Sequence, residues 1–101
     1  MQIYLVTFAS THAALAFEGC AGGEGALVPV PPALRAGCGM AWRLVRKDDE
    51  AARSTAAEVA RQAGLAELDW ELYAKDGDAY RSVAAHGADG EGGGPASGAA
   101  D

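Results

Sequence analysis

Cys38 lies between two glycines in the run Pro29-Val30-Pro31-Pro32-Ala33-Leu34-Arg35-Ala36-Gly37-Cys38-Gly39. Gly37 and Gly39 are free to adopt positive φ and leave the thiol without side-chain shielding. The chemistry a cysteine offers there is nucleophilic. Its thiolate must form from a group whose ordinary pKa is about 8.5, with help from nearby cations or backbone N–H groups. Arg35 and Arg43 are the cations close in sequence. The competing reading is structural, because a free cysteine is also a small apolar residue that is often buried. Cys20, at the end of a helical stretch, fits that structural role. Ser10, Thr11 and His12 form a second group: at a helix start, free N–H groups favour an anion, and an imidazole there could tune a thiol. A helix-capping motif with a solvent-facing imidazole explains the same three residues.

Other chemistry is poorly served. With two cysteines and two histidines in all, a closed zinc site would need every one of them, and their spacing fits no usual pattern. No metal and no cofactor is expected. Serine-triad, glycosidase and phosphate-loop constellations are absent, and Asp48-Asp49-Glu50 reads as a helix start rather than a carboxylate pair. The net charge of −6 over 101 residues argues against nucleic acid, which needs clustered Lys and Arg. No apolar run approaches the roughly 18 residues of a membrane span. Met1-Gln2-Ile3-Tyr4-Leu5 lacks the positive start of a secretory signal. A cytoplasmic setting with reduced thiols follows as the expectation.

The elements that would hold Cys38 follow from periodicity. Gln2 to Phe8 is apolar on both faces, as a central strand is. Ser10 or Thr11 caps a helix from His12 to about Cys20, with Ala14, Leu15, Phe17 and Glu18 on its turns. A second strand, Ala26 to Pro31, carries Pro29 and therefore belongs at a sheet edge. Met40 to Val45 is the third strand. Asp48 caps a second helix with an alanine-rich stripe and an Asp49/Arg53 pair, stopped at Gly64 with Leu65 as its hydrophobic contact. Glu67 to Lys75 is the fourth strand. The order βαββαβ predicts an α+β, ferredoxin-like sandwich: a four-stranded sheet ordered 4-1-3-2 with two helices on one face. Cys38 would then sit at one end of the sheet. Residues 1–76 form the expected domain and 77–101 a flexible Gly/Ala/Asp-rich tail, with a short helical or extended add-on over Tyr80 to Ala85.

Phe8-Ala9-Ser10-Thr11-His12 with Ala14-Leu15 and Glu18, then Leu27-Val28-Pro29-Val30-Pro31, then Cys38-Gly39-Met40-Ala41, resemble the DUF3343 family of small bacterial selenium/sulfur carrier-like proteins. The pattern departs from that family in having Pro32 where an arginine is common and Arg35-Ala36-Gly37 in place of small hydroxyl residues. The resemblance implies a carrier rather than a turnover enzyme. Cys38 would hold the chalcogen in a persulfide-type adduct, and Ser10, Thr11, His12, Arg35, Gly37 and Gly39 would surround it. The implied partners are sulfur or selenium donor and acceptor proteins, with a homodimer as a further possibility and no nucleic acid or membrane. The rival function is a non-catalytic interaction or dimerisation module, using an uncovered sheet face, in which the cysteine is structural.

Overall fold

The computed structural model describes residues 1–83. Strands β1 (Gln2–Phe8), β2 (Ala26–Pro29), β3 (Met40–Arg46), β4 (Trp70–Asp76) and β5 (Ala79–Val83) form one antiparallel sheet in the order β2-β3-β1-β4-β5. Helices α1 (Thr11–Ala21) and α2 (Asp49–Gln62) pack against each other and contribute to a single core with one sheet face. The fold is α+β, and its first four strands keep the expected order 4-1-3-2. The strand count of four is corrected to five. Asp76-Gly77-Asp78 turns the chain back, with Gly77 at φ 63°, and β5 covers the β4 edge. The add-on considered for Tyr80 to Ala85 is this strand as far as Val83. The expected tail lies outside the described residues from residue 84 onward. Among the described residues no helix is long and apolar enough to cross a membrane.

Alternation fills the core. Tyr4, Val6 and Phe8 of β1 face the helices beside Trp42 and Leu44 of β3 and Trp70, Leu72 and Ala74 of β4. Phe17 is the aromatic centre, edge-on to Phe8 at 5.2 Å and to Trp42 at 5.0 Å between ring centroids. Small alanines on both helices let them come close to this aromatic floor. Leu15, placed on the helical face by spacing, is instead 58% exposed, because Ala14, Phe17 and Ala21 define the buried stripe.

Helix ends behave as their residues ask. Ser10 Oγ accepts from the Ala13 N–H and Asp48 Oδ1 from the Ala51 N–H. Beyond α2, the Leu65 N–H reaches the Ala60 carbonyl and the Gly64 N–H the Arg61 carbonyl, while Leu65 packs on the core. The Asp49/Arg53 pair does not form: Arg53 pairs with Glu50, and Asp49 turns to Arg81 of β5 and to the Tyr4 hydroxyl. Glu67 to Asp69, expected as strand, form a 3-10 turn, since the Asp69 side chain accepts from the Ala66 N–H and curls the backbone. Leu68 is left 89% exposed.

The second sheet face is less open than expected. Leu5, Thr7 and Ala41 project away from the helices yet are 4%, 3% and 0% exposed. The β2–β3 loop is their cover. Pro31 lines a cavity with Ile3 and Leu5, and Arg35 to Gly37 line another with Thr7 and Glu71.

Candidate functional site

Proline stiffness and two long-range hydrogen bonds shape the Cys38 turn. Pro29 ends β2 at the sheet edge, and the Val30 N–H still reaches the Gly39 carbonyl at 3.0 Å, prolonging the β2–β3 ladder by one pair. Hydrogen-bonded positions alternate along an antiparallel strand, so Pro29 stands where its N–H would face outward and costs the ladder nothing. The Leu34 N–H closes a turn on the Pro31 carbonyl. The Gly37 N–H then donates to the Phe8 carbonyl at 3.0 Å, which docks the turn on the last residue of β1.

Gly37 and Gly39 differ in what the missing side chain does. Neither adopts positive φ. Gly37 is needed for close approach, since a Cβ there would overlap the Ala9 carbonyl. A Cβ at Gly39 would meet nothing within 4 Å.

Cys38 is half-buried, neither sealed nor free. It packs at the margin of the core, and its Sγ donates to the Met40 carbonyl at 3.4 Å. Ser10 follows the Phe8-Ala9 pair on which Gly37 rests, so the thiol's turn and the start of α1 share one end of the sheet. Ser10 Oγ is engaged there as a cap, while Thr11 and His12 are exposed on the first helical turn. Arg35 is exposed on the turn itself. Arg43, by contrast, pairs in register with Leu5 and lines the cavity with Ile3 and Leu5, not the one beside the Cys38 turn. Cys20 lies at the far end of α1, lining a groove with Ser54, Thr55 and Glu58 of α2.

A cavity of about 300 Å³ adjoins the turn. Arg35, Ala36 and Gly37 form one wall, Glu67 and Leu68 the corner before β4, and Thr7 and Glu71 the sheet floor. Ala9 ties the two sides together: its N–H donates to the Asp69 carbonyl at 2.9 Å, and its carbonyl touches Gly37. Tyr73 donates its hydroxyl to Glu71 at 2.9 Å. Burial, and then that hydrogen bond, push the Tyr73 hydroxyl above its ordinary range. Thr7, Glu67 and Glu71 were not among the expected site residues. Thr7 carried one signal, as the polar residue of the otherwise apolar run Ile3 to Phe8.

A family model described as "Putative Se/S carrier protein-like" matches residues 3–63, from β1 through α2 and including Cys38. No curated protein and no solved structure matches the chain.

Proposed function

Because the chain belongs to the Se/S carrier protein-like family, we propose that it holds a sulfur or selenium atom on Cys38 and relays it between a donor and an acceptor protein. The Cys38 thiolate attacks the outer sulfur of a donor persulfide. The donor's S–S bond breaks, the donor thiolate leaves and takes a proton from water, and Cys38 is left as a persulfide. Delivery reverses the step: an acceptor nucleophile takes the outer sulfur and Cys38 departs as thiolate. A selenium atom bound outside a donor sulfur would follow the same path. Neither direction consumes an oxidant.

The observation that carries this reading is the half-buried thiol on a turn anchored to Phe8, within the matched segment. Half-burial suits a carrier, since the adduct needs shelter from stray thiols and still has to be reached. The exposed first turn of α1, with Thr11 and His12, offers N–H groups and a positive dipole end close to where an anionic adduct would form. A cytoplasmic setting, where thiols stay reduced, belongs to the same proposal.

One observation favours a second reading in which the cysteine is structural: Sγ packs on the core and hydrogen-bonds its own strand. Treating the reduced protein with inorganic polysulfide and mapping added mass separates the two. The carrier reading expects one added sulfur on Cys38, lost in Cys38→Ala and kept in Cys20→Ala. Absence of any addition at Cys38 would leave the structural reading standing.

A further inference from the structure

The cavity beside the Cys38 turn carries opposite charges that are not spent on each other. The arginines paired with carboxylates among the described residues are Arg46, Arg53, Arg61 and Arg81. Arg35 is not among them, although Glu67 and Glu71 line the same cavity. Thr7 forms part of the floor. It is 3% exposed.

We propose that this cavity binds a free zwitterionic α-amino acid of cysteine's class, so that the sulfur donor is a small-molecule cysteine persulfide. The carboxylate goes to Arg35, whose planar guanidinium can grip both of its oxygens. The ammonium goes to Glu71. One oxygen of Glu71 accepts from Tyr73, which fixes the side chain and leaves the other oxygen free. Thr7 stands directly across the strand from Glu71 and supplies a hydroxyl to the same polar end. Gly37 contributes backbone without a side chain to the wall; the next residue, Cys38, packs at the core margin outside the lining, so the outer sulfur of a bound donor has to reach past Gly37 to meet it. The volume of about 300 Å³ holds an amino acid and a little water but is at the small end for ligand pockets. In the transfer, the Cys38 thiolate takes the outer sulfur, the S–S bond breaks, and free cysteine leaves as a thiolate that picks up a proton from water. The inference rests on the carrier reading for the choice of cysteine; the charge pattern specifies an amino acid independently of it.

The test is a titration of the isotope-labelled, reduced full chain with L-serine and L-cysteine, and with propionate and ethylammonium as half-ligands, followed at the backbone amides of Thr7, Gly37 and Glu71. Saturable shifts with both amino acids, and none with either half-ligand, are expected. Arg35→Gln and Glu71→Gln should each weaken binding roughly tenfold or more, the usual loss for a charge-assisted contact. Thr7→Val keeps the shape and should weaken it less. Absent shifts, propionate as effective as serine, or unchanged binding in Arg35→Gln and Glu71→Gln would overturn the pocket assignment. Serine has no sulfur to give, so its binding reports the pocket alone. Loading of Cys38 from polysulfide without serine binding would remove the pocket and leave the carrier. Serine binding without any loading of Cys38 would remove the donor assignment along with the carrier.

Discussion

At the scale of single residues, the Cys38 turn depends on what residue 37 lacks. A methyl group there would run into the Ala9 carbonyl, and the turn would have to lift from β1 and give up its hydrogen bond to Phe8. Gly37→Ala should therefore cost about 1–3 kcal/mol in urea unfolding, in the range of other overpacked sites, and should speed alkylation of Cys38. Gly39→Ala is the control, expected within about 0.5 kcal/mol of the parent with unchanged alkylation. Equal effects from the two would mean that the turn is not held at Ala9. Sequence gave both glycines one role because composition speaks only of local backbone freedom. The contact between residues 9 and 37 that separates them is tertiary. For the same reason Cys38, Ser10, Thr11, His12 and Arg35 could be named as candidates from their types and spacing, whereas Thr7 and Glu71 could not: only the loop crossing the sheet brings them beside the turn.

At the scale of elements, β5 is tied to the rest through Asp49 at the start of α2. Asp49 accepts from the buried Tyr4 hydroxyl at 2.7 Å and pairs with Arg81 of β5, also at 2.7 Å. The Arg81 hydrogen bond, then that of Tyr4, hold the Asp49 carboxyl below its ordinary 3.8. Burial, then the hydrogen bond to Asp49, push Tyr4 from 10.0 to about 12. The signs are opposite. A depressed carboxyl contributes stability that is whole above pH 3.8 and is lost as pH falls through its folded value. A raised phenol contributes stability that is whole below pH 10 and is lost as pH rises through about 12. Unfolding measured from acid to alkaline pH should show both limbs. Asp49→Asn should flatten the acid limb and cost about 1 kcal/mol at neutrality, a modest figure because the Arg81 pair is partly exposed. An unchanged acid limb in that variant would put the pH dependence elsewhere. The strand order was legible because β1 is apolar on both faces and Pro29 demands an edge. β5 was legible only as a helical or extended add-on, because Arg81 and Ser82 give it a polar surface and its pairing depends on the short Asp76-Gly77-Asp78 turn.

At the scale of the whole molecule, the two thiols are kept apart by the length of α1. Cys38 sits on the turn anchored beside the start of that helix, and Cys20 is near its end, about nine residues or roughly 13 Å along the axis. A disulfide needs Cα atoms within about 7 Å. Mild oxidation should therefore give disulfide-linked dimers and no internal bridge, read by mass and by non-reducing electrophoresis. An internal Cys20–Cys38 bond would require a rearranged fold. The β2 margin has a consequence of another kind. Its outward positions are Leu27 and Pro29, so a neighbouring chain trying to lengthen the sheet there would find a single amide donor across four residues. Strand-by-strand polymerisation is blunted on that flank at crowded concentrations; among the described residues the opposite flank of the sheet is β5.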